Sequence, residues 1–181
     1  GQLAFDENGT ERAFSNPPLN VEHESSYNKL FMFTAWNMSL PGVPVLYYGE
    51  EIGQIGANDP DNRRMMRFDN ELTPRERTFK RQMSQLIKLR RSYEALSIGD
   101  HQVIYEDLNS TVWLKSYFNQ RLIILFNNSE SAQIVAFHIE GDYSKINSLI
   151  DRSFYNLING TAELKMDAYE TKMYLLEKPG Q

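Results

Sequence analysis

The feature that most constrains this chain is a change of pattern near residue 95. Before it, apolar residues recur at helical spacing and one segment is continuously apolar. After it, short runs rich in Val, Ile, Tyr and Phe are separated by Asn, Gly, Asp and Ser. That second pattern is how strands and turns read. The spacing predicts strands over 101–106, 111–118, 121–126, 132–139, 146–151, 154–158, 162–167 and 170–176, arranged as an antiparallel sandwich. Leu122 to Phe126 has the composition of a central strand, and Asn159-Gly160 between two alternating runs is a type I′ hairpin signal. The expected class is α+β, with residues 1–94 and 95–181 as separate units.

The first unit carries its own signals. Residues 1–22 read as irregular, with turn signals at Asn8-Gly9 and Asn16-Pro17-Pro18. A helix is expected over 26–40, capped by Ser25 or Ser26. Tyr27, Leu30, Phe31, Ala35 and Met38 lie on one face of it, and Met32, Phe33 and Trp36 make the other side apolar too, so the helix should be buried nearly all round. Val43-Pro44-Val45-Leu46-Tyr47-Tyr48 shows no alternation, as in a parallel strand covered on both faces. A polar loop follows over 49–72. Thr73-Pro74-Arg75-Glu76 then combines a capping box with proline at the first helical position, opening a helix to about residue 93 whose buried face is Phe79, Met83, Leu86 and Ile87.

Composition narrows the function classes. At 181 residues, 24% charged and 41% hydrophobic, the chain has the make-up of an ordinary globular protein. No apolar run approaches the ~20 residues of a membrane span, so no membrane partner is expected. Zero cysteines exclude disulfides, thiolate metal sites and a thiol nucleophile, and leave the compartment open. His23, His101 and His138 are too scattered for a metal centre, and no oxygen cluster suggests calcium, so no metal or cofactor is expected. The cations of the second helix surround it and the net charge is −5, which argues against nucleic acid.

The loop after the apolar run is the first place to look for function, because sites in α/β folds lie at the C-terminal ends of strands. Glu50 and Glu51 could suggest an acid/base dyad, but successive strand residues face opposite ways, so the pair is rejected. Asp59-Pro60-Asp61-Asn62-Arg63-Arg64 offers carboxylates and guanidinium forks that match sugar hydroxyls. The same residues can also tie the loop down through their own ion pairs.

At this point several segments resemble one family. Leu40 to Gly53, reading LPGVPVLYYGEEIG, is similar to the last barrel strand of the α-amylase superfamily, glycoside hydrolase family 13. Asp59 to Met66 resembles the loop that follows it, and Leu89 to Leu96 the last barrel helix. Gly99-Asp100, Val112 to Leu114 and Ile124 to Ser129 resemble the opening of the family's antiparallel C-terminal domain, and Ala168 to Leu176 its closing strand.

The resemblance implies the end of a (β/α)₈ barrel, with two helices and one barrel strand, in residues 1–94, and a β-sandwich C-terminal domain in 95–181. A whole barrel needs about 250 residues, so the strands that carry the family's nucleophile and general acid have no counterpart here. The place of its Asn-His-Asp motif holds Phe5 to Arg12 without the His-Asp pair. The implied role is therefore the C-terminal part of an α-glucan-acting retaining glycosidase or transglycosylase, with no catalytic residue of its own. By resemblance, Asp59 and Arg63 position substrate. An α-glucan oligosaccharide is the expected ligand, and residues 1–72 are expected to pack on the rest of such a protein or self-associate. The rivals are a non-catalytic relative serving in interaction and a carbohydrate-binding module built from residues 95–181, which should fold by itself.

Overall fold

The structure, a computed structural model, describes residues 9–180. The segment Phe5 to Asn8, compared above with the Asn-His-Asp motif, lies outside the described residues. Among the described residues, three α-helices precede eight strands: α1 (Gly9–Ser15), α2 (Ser25–Ser39), α3 (Pro74–Ser92), then β1 (Asp100–Glu106), β2 (Ser110–Tyr117), β3 (Gln120–Asn127), β4 (Gln133–His138), β5 (Lys145–Ser148), β6 (Phe154–Asn156), β7 (Thr161–Met166) and β8 (Thr171–Glu177). One antiparallel sheet runs β1-β2-β3-β8-β5-β6, and a second pairs β4 with β7. The class is α+β, with the strands where the alternation placed them.

The sandwich core explains the continuous apolar run of β3. Ile123 and Leu125 face the second sheet and pack with Val135, Phe137, Leu164 and Met166. Leu122, Ile124 and Phe126 face the other way and pack with Ala35 and Met38 of α2, Leu86 of α3, Trp113 and Met173. Each of the five β3 side chains is at most 2% exposed, and burial on this scale is worth about 1.5–3 kcal/mol per large side chain. Trp36 of α2 seats its ring 4.2 Å from that of Trp113 and 5.2 Å from that of Phe126, so aromatic contacts join helix to sheet. At the hairpin between β6 and β7, Asn159 (φ 50°) and Gly160 (φ 74°) are both left-handed, as a type I′ turn demands.

Four expectations need correction. The segment over 43–48 is extended but joins no ladder, and Val43 and Val45 are 90% and 79% exposed. A strand forms only where neighbouring strands take up its backbone groups, and the sheets described here begin at Asp100. The irregular N-terminal stretch contains α1. The cap position of α2 is Glu24, which makes no side-chain cap bond, because the helix starts one residue earlier than Ser26. The second face of α2 is not buried: Phe33 is 66% exposed. The α3 start is as read, with the Glu76 N–H donating to Thr73 Oγ1 and the Thr73 N–H to Glu76 Oε2.

Candidate functional site

The loop between the extended segment and α3 is built by short-range ties. At its start the Tyr47 N–H donates to Glu50 Oε2 (3.0 Å) and the Gly49 N–H to Glu51 Oε2 (2.8 Å). Both glutamates thus hold the backbone of a 3₁₀ turn over Glu50–Ile52. The dyad is excluded, though not through strand alternation, since this stretch is no strand. Gly53 closes the turn at φ 66°, and a Cβ there would stand 2.7 Å from the Tyr27 ring, so the close approach admits only glycine.

The second half of the loop holds the sequence-predicted residues. Asp61 accepts from Arg64 Nε (2.8 Å) and Nη2 (2.6 Å) and from the Ala57 N–H (2.7 Å). Chiefly through the Arg64 bond, its carboxyl is held below the usual range, against the opposing pull of burial. Arg64 Nη2 also reaches the Pro18 carbonyl (2.7 Å), pinning the loop to the N-terminal segment. Asp59 and Arg63 are brought together as well. Arg63 Nε donates to Asp59 Oδ1 (3.0 Å) and Nη2 pairs with Oδ2. This bidentate pair is solvent-exposed, its side chains 61% and 59% accessible. An exposed pair contributes about 0–1 kcal/mol to folding. Asp61–Arg64 and the Gln54 bonds to the Arg64 and Met65 carbonyls fasten the loop, and Asp59–Arg63 adds little to folding.

Next to this loop is a cavity of about 530 Å³, bounded by Leu19, Tyr27, Gln54, Arg64, Arg67 and Glu76 among others. Its charges are matched. Arg67 pairs with Glu76, and Arg75 pairs with Glu24 while lying 4.5 Å over the Tyr27 ring. Burial pushes the Glu76 carboxyl up, but the Arg67 guanidinium and the Thr73 backbone outweigh it, and the net position is below the usual range. A carboxylate so tied is a structural anion rather than a proton donor. Sequence reasoning identified Glu76 only as a cap. Its pairing with Arg67, nine residues earlier, had no local signal. Among the described residues no cluster of His, Cys, Asp or Glu could hold a metal ion, and no helix is long and apolar enough to cross a membrane.

No family profile matches the chain. It is similar to a cyclomaltodextrinase of Geobacillus thermopakistaniensis (strain MAS1), with 35% identity over 113 residues that make up 61% of this chain and 18% of the relative. An Anoxybacillus α-amylase structure superposes with a TM-score of 0.75 at 27% identity, covering 85% of this chain and 33% of that one. A variant of AmyP crystallised with maltotriose superposes with a TM-score of 0.79 at 22% identity, over 89% of this chain and 37% of that one. The chain thus spans about a fifth to about a third of the length of these proteins.

Proposed function

We propose, from the premise that this chain is a relative of the α-amylase superfamily of glycoside hydrolases, that it acts as the C-terminal portion of an α-glucan-acting enzyme of the retaining hydrolase or transglycosylase type. It supplies scaffold and part of a sugar subsite, and does not itself cleave the bond. Cleavage needs two carboxylates across the glycosidic bond, about 5–9.5 Å apart, and the carboxylates around the loop cavity are occupied by Arg64, Arg67 and Arg75.

The observation that carries the subsite is the exposed Asp59–Arg63 pair on a loop fastened independently of it. Asp59 fixes the plane of the Arg63 guanidinium. The Nη1 hydrogens and the remaining carboxylate lone pairs then face outward, a fixed array of donors and acceptors matched to vicinal hydroxyls. Such a pair contributes by orientation and binding energy. The test is titration of the 181-residue chain with maltoheptaose, following reducing-sugar release in the same samples. Binding without release, lost in Arg63→Ala, is expected. Release at an enzymatic rate, or binding unaffected by Arg63→Ala, would overturn the reading.

A second reading, an interaction protein of the same family, is favoured by one observation. Phe14, Leu19, Phe33, Val43, Val45 and Met65, all within residues 1–72, are each at least 66% exposed, and apolar surface marks contact sites where such residues adjoin. Self-association through residues 1–72 is its simplest form. Sedimentation of the chain across concentrations tests it, and a monomer at every concentration would rule it out.

A further inference from the structure

The hairpin joining β2 to β3 has a two-residue turn, Phe118-Asn119, closed by the pair Tyr117↔Gln120. Phe118 has φ 45°, while Asn119 is not left-handed. Left-handed backbone at the first central residue only is the position where such turns want glycine. A bulky side chain there is an outlier. The usual compensation, burial of the ring, is missing, because Phe118 is 83% exposed. Strained backbone under a side chain so exposed points to a use for that side chain.

The surroundings indicate what use. Strand register sets Asp100 opposite Ser116 and Ser116 opposite Arg121, a lateral row across three strands. Side chains so placed lie on one face with Cβ atoms about 5 Å apart. Arg121 Nη1 donates to the Phe118 carbonyl (2.8 Å) and the Gln120 carbonyl (3.0 Å), which holds the guanidinium against the turn. Among the described residues, its Nε and Nη2 make no hydrogen bond, and the Asp100 carboxylate makes no salt bridge, though its charge is felt by the buried Lys115 ammonium. These groups, with Ile98 and Tyr117, line a shallow cavity of about 320 Å³, at the small end of the ~300–1,000 Å³ range of ligand pockets. The Tyr117 and Phe118 rings meet edge to face at 4.6 Å, which steadies the exposed phenyl.

We propose that this hairpin is a second saccharide-binding site, in which Phe118 stacks on one pyranose face while Arg121 and Asp100 hydrogen-bond its hydroxyls. One cation and one anion leave the site nearly neutral, which suits a polyol better than a phosphate or a nucleic acid. An aromatic platform beside fixed polar forks matches a ring with an apolar face and an equatorial hydroxyl rim. The choice of an α-glucan as the chain to which that pyranose belongs rests on the function proposed above. The site itself is distinct from Asp59 and Arg63, being built on β1, β2 and β3.

The test is an amide-resolved NMR titration of the 181-residue chain with maltoheptaose, and in parallel with cellohexaose. Shifts are expected at residues 98–100 and 116–121. Phe118→Asn should weaken binding there at least about tenfold while the melting temperature holds or rises, since asparagine accepts left-handed backbone. Arg63→Ala should leave those shifts intact. Shifts confined to 57–64 would overturn this site and leave the first reading standing. Hairpin shifts that persist in Phe118→Asn, or no hairpin shifts with either sugar, would also overturn it. Equal hairpin shifts with cellohexaose would support the site and count against the α-glucan assignment.

Discussion

Arg90 gives the most demanding test of how the helical segment is held together. It lies in the last turn of α3 and is 9% exposed. Its Nη1 donates to the carbonyls of Met38, Leu40 and Leu96, and Nη2 to that of Gly42. Two of these acceptors end α2 or lie just beyond it, where helix carbonyls have no partner of their own. One cation therefore closes the end of α2, fixes the chain's exit toward the extended segment and grips the turn over Glu94–Leu96. Burial pushes its guanidinium below its ordinary pKa, so the charge costs something to keep.

Replacing it, Arg90→Met, keeps the stem and deletes the fork. The Leu40 and Gly42 carbonyls are close enough to solvent to rehydrate, whereas the bonds to Met38 and Leu96 are buried. Two stranded buried acceptors at about 1–3 kcal/mol each, less the relieved cost of burying the cation, give a net loss of about 3 kcal/mol. For a chain of this size that is a fall in Tm of about 6–12 °C. Urea unfolding followed by circular dichroism should show a lower midpoint at unchanged slope. Arg90→Lys should recover less than half, since a point charge cannot reach four acceptors. The exposed neighbour, Arg91→Met, should change stability by about 0.5 kcal/mol at most. A loss below about 1 kcal/mol for Arg90→Met would refute the reasoning.

Two further predictions concern the loop and the sheet. The Glu76 carboxyl lies lower in the folded state than its unfolded value of 4.5, so its stabilisation is complete above that pH and is lost as pH falls through the folded value. Glu76→Gln should therefore flatten the decline of the urea midpoint below pH 4.5, and an unchanged acid limb would count against the Arg67 pairing. Residues 95–181 expressed alone would expose Trp113, Leu122, Ile124, Phe126 and Met173, each at most 3% accessible in the whole chain. At about 1.5–3 kcal/mol each that is comparable to the whole stability of a domain, so the excised β unit should bind a hydrophobic dye and melt well below the full chain. A compact, dye-free monomer of equal Tm would sink this.

How legible the fold was depends on the range of the interaction that decides each element. The strands of the sandwich, the Asn159-Gly160 turn and the start of α3 follow from local alternation, turn chemistry and capping. Asn159-Gly160 needs no distant partner to be a turn, and Thr73-Pro74-Arg75-Glu76 caps its helix from within four residues. Val43 to Tyr48 failed because a covered strand is a property of its neighbours, which composition cannot supply. The exposure of Phe33 failed for the same reason. At the candidate site, Asp59, Asp61, Arg63 and Arg64 stand close enough in sequence for their pairing to be read, but which pair would be buried depends on Pro18, 46 residues away from Arg64. Lys115 is fully buried, with Nζ bonded to the Gly99 carbonyl (3.2 Å). Alternation with Trp113 places it on the helix-covered face, yet no local pattern says that a lysine would be accepted there.

The apolar residues of the helical segment fall into two sets, and that division bears on function. Tyr27, Ala35, Met38, Phe79, Met83 and Leu86 are buried among the helices or against the six-stranded sheet. Gln85 adds a polar tie, its Nε2 donating to the carbonyls of Leu149 (3.2 Å) and Ile150 (3.0 Å). So helices and sheet share one buried cluster across the division at residue 94. Two separate domains, 1–94 and 95–181, remain a proposal that this packing makes conditional on the interface between them. The other set, Phe14, Leu19, Phe33, Val43, Val45 and Met65, is exposed, and the N–H groups of Val43, Val45 and Leu46 have no partner among the described residues. Scattered exposed apolar side chains are normal, but an extended backbone left unpaired beside them is a template for strand addition. Leu46 of that segment packs against the buried clusters of the helices and the sheet, and the Asp59–Arg63 loop follows at the end of the same stretch.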